Sequence, residues 1–446
     1  MENTRLKRTC HRRYFSNTYK KLSLIGLYLF SSVLLAASTG SAEISRYTDE
    51  AETMFAKCRN FVYQVRVIDT ATGEKASIGS AFLFAKNGYI ATNYHVIASA
   101  VRFPKRYHIE YLKADNSIGL LKIIDADIIH DIAIVKTDDP LQGNLELGES
   151  LSLSQGTKVF SLGNPHDLGT TIVEGLYNGL MKDSLYKKIL FSGSINPGMS
   201  GGPSLSHDGK VIGINVSTMG NQLSFLVPVE FLKDLFERLQ KRGHHAITDW
   251  DTHIETQLLK NQGDIIDTML TLPWESSSIG EAIVPSEITK AYKCWADSED
   301  YKDELYKKSW LQCYCQDSVY IDSDFYTGMI TYDYTWLESK NLNTVRFYNV
   351  YEYFFIGTPF GNASKHDVDK FSCTSDFVSI DKTDWKIALC ARNYKRFPQL
   401  YDFHAKIASV SKKNKGLVIH LSLLGTTKDK ALSFIKKFID EIRWQK

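Results

Sequence analysis

The chain has 446 residues, 43% of them hydrophobic and 23% charged. That is too long for one ordinary hydrophobic core and too well mixed for a disordered or many-span membrane protein, so two folded domains are expected. The formal charge is +2, but residues 1–42 carry seven Lys/Arg against one acidic residue; the rest holds 46 Lys/Arg (53 less seven) against 50 Asp/Glu (51 less one), a mildly acidic −4 without the basic block that nucleic acid requires.

The N-terminal basic stretch leads into an uncharged run from Leu22 to Ala37, and Gly40-Ser41-Ala42 places small residues ahead of Glu43. A basic start, an apolar stretch and a small-residue exit predict an export signal over 1–42, cleaved after Ala42. The run falls short of the roughly 20 residues that span a bilayer core. The mature protein is therefore expected in the periplasm or the medium, touching a membrane only if this segment stays uncleaved.

From Phe61 to about Val229 short β-branched and aromatic runs alternate with Gly, Asn and Asp: Phe61 to Ile68, Ser80 to Ala85, Tyr89 to Thr92, Ile132 to Val135, Val159 to Leu162 and Val211 to Val216. Such spacing predicts an antiparallel β-barrel or sandwich. Apolar residues at 231, 232, 235, 236 and 239 predict a helix over Phe231–Arg242 that stops at Gly243, where we place the domain boundary. Beyond it, 248–270 and 286–310 are predicted helical, 326–336 and 345–355 are predicted strands from alternating aromatics, and a helix over Lys428–Trp444 closes an α+β domain.

Cys58, Cys294, Cys313, Cys315, Cys373 and Cys390 remain once Cys10 is removed with the signal. An even set in an exported chain suggests disulfides, whose pairing the spacing leaves open. No second Cys or His pair stands at metal-binding distance from Cys313-Tyr314-Cys315, so neither metal nor cofactor is expected.

Three segments carry chemistry: Thr92-Asn93-Tyr94-His95-Val96, His130-Asp131-Ile132-Ala133-Ile134-Val135, and the run from Asn196 to Pro203 that contains Gly198-Met199-Ser200-Gly201-Gly202. A serine hydroxyl attacks only if an imidazole takes its proton, and the imidazole needs a carboxylate to fix its tautomer. His95 as base, Asp131 as orienting acid and Ser200 as nucleophile satisfy that need. The loop Gly198-Met199-Ser200 would meet the oxyanion, with the N–H groups of Gly198 and Ser200 as donors.

These segments resemble the trypsin-like serine proteases, and within them the HtrA (Deg) branch, over roughly residues 61–236. Gly79-Ser80-Ala81-Phe82, Asn87-Gly88-Tyr89-Ile90, Ser161-Leu162-Gly163-Asn164-Pro165, Gly213-Ile214-Asn215 and Phe225-Leu226-Val227-Pro228 follow that branch's pattern in order. The resemblance implies an all-β double barrel over 43–243 with the triad in the cleft, followed here by the α+β domain of 244–446. It also implies acyl-enzyme cleavage of protein or peptide substrates, and leaves self-association open. The branch's PDZ domains have no recognisable counterpart after residue 243. Met199 stands where digestive trypsins carry an activating aspartate. Ser194 resembles the base of the specificity pocket and brings no acid to it, so a small or medium aliphatic P1 side chain is expected, lined by Ser194, Ile195, Asn215, Val216 and Ser217.

Two other readings compete. Gly198-Met199-Ser200-Gly201-Gly202 also fits the nucleophile elbow of an esterase, but that elbow runs into a helix and precedes its acid and histidine in sequence, whereas Pro203 and an Asp208-Gly209 turn follow here. The other is a scaffold that keeps the triad and acts through its C-terminal half.

Overall fold

The computed structural model describes residues 46–446 apart from 357–361, 381–382, 411 and 445–446. The expected signal segment and its cleavage site lie outside the described residues. Helix α1 (Arg46–Cys58) leads into β1 (Val62–Asp69), β2 (Lys75–Ala85), β3 (Tyr89–Thr92), α2 (Tyr94–Arg102), β4 (Tyr107–Leu112), β5 (Ile118–Asp127) and β6 (Ile132–Lys136). Their six strands close into a barrel in the order β1-β2-β3-β6-β5-β4. A second barrel repeats that order with β7 (Lys158–Gly163), β8 (Thr171–Leu180), β9 (Ile189–Phe191), β10 (Pro203–Leu205), β11 (Val211–Gly220) and β12 (Leu223–Pro228). Closure leaves neither sheet with an open edge. The strand spacing left barrel and sandwich open, and the double barrel that the resemblance implied is what forms.

Strand β6 shows why its sequence is an unbroken apolar run and not an alternation. Ala133 and Val135 join the core cluster that runs through the first barrel, whereas Ile132 and Ile134 join a second cluster shared with Phe160, Leu162 and Ile214 of the other barrel. Both faces are covered, so both must be apolar. Helix α3 (Val229–Lys241) adds Val229, Leu232, Leu235 and Leu239 to that shared cluster.

Helix α4 (Trp250–Thr271) begins where the Asp249 carboxylate accepts the Thr252 N–H at 3.1 Å, a side-chain N-cap. After it come β13 (Ser276–Ile279), β14 (Ala282–Pro285), β15 (Lys293–Glu299), β16 (Tyr306–Tyr314), β17 (Val319–Asp322), β18 (Phe325–Thr327) and β19 (Ile330–Ser339). The chain ends with α5 (Thr344–Ile356), β20 (Ser372–Ile380), β21 (Thr383–Asn393), β22 (Tyr401–Ser409), β23 (Lys415–Thr426), α6 (Lys428–Asp440) and β24 (Arg443–Trp444). Seven of these strands form one antiparallel sheet, β15-β16-β19-β23-β22-β21-β20; β17 and β18 make a separate hairpin. Helices α4 and α6 pack on one sheet face through Ile266, Met269, Phe434 and Phe438, and α5 packs on the other through Phe347 and Tyr351. The α+β expectation holds in outline.

Two local expectations fail outright, and the closing helix expected to Trp444 stops at Asp440, with Arg443–Trp444 forming β24. Residues 286–310 form no helix: β15 and the start of β16 run through them. As an edge strand rich in Lys, Asp and Glu, β15 is mostly exposed and shows little alternation, and Cys294 is bonded to Cys313 directly across the ladder. Residues 345–355, expected as a strand, are helix α5, whose buried Phe347 and Tyr351 lie four residues apart on one helical face. Asn343 accepts the Arg346 N–H at 3.0 Å, as an N-cap does. A second disulfide, Cys373–Cys390, ties the other edge strand β20 to β21, while Cys58 and Cys315 are free and buried.

The halves share more than a linker. Ile254 and Leu258 of α4 belong to the first barrel's core cluster, and Ile266 and Met269 of the same helix belong to the cluster of the seven-stranded sheet. Val319, Ile321 and Phe325 of the β17–β18 hairpin also lie in the first barrel's cluster.

Candidate active site

His95 sits in the first turn of α2, and Asp131 sits just before β6. Asp131 adopts φ 56°, a left-handed conformation uncommon outside glycine. The strained turn is held from the front by Asn93, whose side-chain amide donates to the Asp131 carbonyl at 2.7 Å. From behind it is held by His130, which stacks on Phe231 with ring centroids 3.6 Å apart and lies 3.1 Å from the Asp127 carboxylate. So placed, the Asp131 carboxylate takes the His95 backbone N–H on Oδ1 at 2.8 Å and faces His95 Nδ1 with Oδ2 at 2.6 Å. A carboxylate only accepts, so the proton belongs on Nδ1 and Nε2 is left as the free base. Burial pulls the imidazole's affinity for a proton down, but the Asp131 charge and hydrogen bond outweigh it, and the pKa stands above the ordinary histidine value.

Ser200 belongs to the other barrel, on the loop before β10. Gly201 has φ +87°, and a Cβ there would lie 2.2 Å from the Ser80 carbonyl, so only glycine lets this loop approach the first barrel. Gly198 has φ +95°, and its Cβ would strike the Asn164 carbonyl at 2.5 Å. Ser80 of β2 bridges the barrels: its N–H donates to the Ser200 carbonyl at 2.7 Å, its hydroxyl donates to the Gly198 carbonyl at 2.7 Å, and its oxygen accepts the Asn164 N–H at 2.8 Å. The Ser200 hydroxyl donates to the Val216 carbonyl at 3.3 Å. The Met199 N–H is spent on the Asn196 carbonyl at 3.0 Å and its side chain is fully buried, so within the expected oxyanion loop Met199 is an anchor.

The residues expected around the P1 side chain divide. Val216 and Ser217 line a cleft of about 100 Å³ together with Asp131 and Tyr320. Ser194 is exposed. Ile195 and Asn215 point elsewhere, which corrects their expected place on the pocket wall. Ile195 is buried among Phe191, Met199 and Leu226. Asn215 is wholly buried: its amide donates to the carbonyls of Leu162 (3.0 Å) and Met199 (3.2 Å), and its oxygen accepts the hydroxyls of Ser161 (2.6 Å) and Ser204 (2.8 Å). A buried amide with every partner satisfied is a brace for the loop, not a contact for substrate.

Sequence reasoning missed Tyr320. Its ring stands edge-on to the His95 imidazole, with centroids 6.0 Å apart. It comes from the C-terminal half, and no motif near it announces a place at the cleft. Among the described residues no group of three His, Cys, Asp or Glu is placed to hold a metal ion.

Two closed six-stranded barrels carry the histidine and aspartate on one and the serine loop on the other, and residues 79–214 match a family model described as a trypsin-like peptidase domain. Over 187 residues the chain is 35% identical to a probable periplasmic serine endoprotease DegP-like of Rickettsia prowazekii, an alignment covering 39% of this chain and 35% of that protein. It is 32% identical over 180 residues to the chloroplastic Protease Do-like 1 of Arabidopsis thaliana, covering 37% of this chain and 40% of that one. The crystal structure of Deg5 aligns at 26% identity and a TM-score of 0.39, covering 44% of this chain and 97% of that chain. The chain thus spans little more than a third of the length of the curated relatives it matches.

Proposed function

We propose that the protein is a serine endopeptidase that cleaves exported proteins or peptides, with residues 43–243 as its peptidase part and 244–446 as an accessory part. The observation that carries the proposal is the His95–Asp131 pair, oriented with Nε2 free, beside a glycine-built loop that presents Ser200 from the facing barrel. The Ser200 side chain turns from the Val216 carbonyl to His95, which takes its proton as Oγ attacks the scissile carbonyl. The N–H groups of Gly198 and Ser200 receive the oxyanion, His95 returns the proton to the leaving amine, and water releases the acyl group by the same steps reversed. Export to the periplasm is supported by the names of the bacterial relatives. A small or medium aliphatic P1 side chain fits a site without an acidic base.

A fluorophosphonate probe tests the assignment directly. Labelling at Ser200 by mass spectrometry, abolished in Ser200→Ala together with about 10⁶-fold of kcat on a peptide, is expected. A folded protein that stays unlabelled would favour the triad-bearing scaffold.

A further inference from the structure

The hairpin β17–β18 is the part of the C-terminal half that stands at the cleft, and it is fastened to both barrels. On the side of the second barrel, the Asp317 carboxylate accepts the Leu185 N–H (2.7 Å), the Ser184 hydroxyl (2.7 Å) and Lys188 Nζ (2.9 Å), all from the β8–β9 connection. On the side of the first barrel, Asp322 pairs with Arg102 of α2 at 2.6 Å, and the Tyr94 hydroxyl donates to the Ile321 carbonyl at 3.1 Å. Val319, Ile321 and Phe325 are buried, and Tyr326 supports the Tyr320 ring edge-on at 5.4 Å. A ring held on this many sides is a fixed wall, not a swinging lid.

What the wall faces follows from strand geometry. A substrate whose scissile carbonyl reaches Ser200 runs extended past Val216 and Ser217, and its side chains alternate in direction. If the P1 side chain points away from the imidazole, the residue before it, P2, points toward His95 and Tyr320. The space there is about 100 Å³; Ile128, Ile129, Val216 and Tyr320 are among its apolar walls, polar groups including His130, Asp131 and Ser217 also line it, and Lys188, another of its lining residues, is paired with Asp317.

We propose that Tyr320 is a specificity-determining residue contributed by the C-terminal half: its ring closes the P2 subsite and selects a medium aliphatic side chain there. The inference rests on the peptidase assignment and adds to it a role for the C-terminal half.

Fluorogenic peptides that differ only at P2 (Gly, Ala, Val, Leu, Phe) are to be assayed with the full-length wild type, Tyr320→Ala and Tyr320→Phe. Fluorophosphonate labelling of the wild type runs in parallel. The wild type is expected to prefer Val and Leu. Tyr320→Ala should lose about tenfold in kcat/KM on those two, change little on Gly, and gain on Phe, while Tyr320→Phe keeps the wild-type order. A shift equal on every peptide, up or down, or an unchanged profile, overturns the subsite while labelling upholds the peptidase. A wild type that is not labelled overturns both.

Discussion

The two barrels hold their shares of the cleft by opposite means. The second barrel braces Ser200 largely from its own strands: Asn215, Ser161 and Ser204 form a buried network under the loop, and Ser80 reaches in from the first barrel with hydrogen bonds to it. The first barrel borrows. His95 is backed by Tyr320, α2 is tied to Asp322 and Asp367 through Arg102, and the core beneath is completed by α4 and the hairpin, partners that include one 220 residues away in sequence. The Ser200 loop is thus a local motif here, while His95 is set by long-range packing.

Cutting the long-range tie should give the largest effect. Arg102→Ala leaves the carboxylates of Asp322 and Asp367, 6% and 3% exposed, without their cation. Losing one member of a buried ion network costs about 3–5 kcal/mol. Denaturant unfolding should read that loss, and amide exchange should rise in α2 and β17–β18 ahead of the second barrel. Exchange rising first around Ser200 would reverse the contrast between the barrels.

The local brace should yield a smaller loss. Asn215→Ala strands the Ser161 and Ser204 hydroxyls in a dry site and takes a donor from the Leu162 and Met199 carbonyls, the latter keeping the Gly202 N–H, at a cost of about 1–3 kcal/mol. Stability measured by denaturant should fall by that amount, and Ser200 labelling should slow because the Met199 carbonyl loses one of its two donors. Unchanged labelling would mean that the brace serves stability alone.

The smallest effect concerns pH. A protonated imidazole cannot act as base, so kcat/KM should rise with pH on a limb whose midpoint lies above the ordinary histidine value of 6.5, because Asp131 raises the His95 pKa. Stability runs the other way. A pKa raised on folding adds stability that is complete below the unfolded value and is lost as pH climbs through the folded one. Asp131→Asn should move the midpoint down; a midpoint that stays put would deny the coupling.

Much of the peptidase half was legible because its signals are local. Strand spacing, the turns at Asn87-Gly88 and Asp208-Gly209, and the glycines around Ser200 each dictate geometry within a few residues. The same holds for α4 and for Phe231–Arg242. What escaped depends on partners far along the chain. Edge strand β15 buries too little to alternate, and the aromatics of α5 fit a spacing of two or of four equally until the sheet decides which face is covered. Asn215 was expected to line the P1 pocket, yet its side chain turns inward to four buried polar groups. Tyr320 had no signal at all.

Helix α4 carries a further consequence. Modules strung on flexible tethers can be shed, traded or duplicated during evolution without disturbing their neighbours. Here one helix gives its first turns to one core and its later turns to another, so a cut at residue 243 removes pieces of the first barrel with everything that follows. The C-terminal half completes the core of the first barrel, so change in either must be answered in the other.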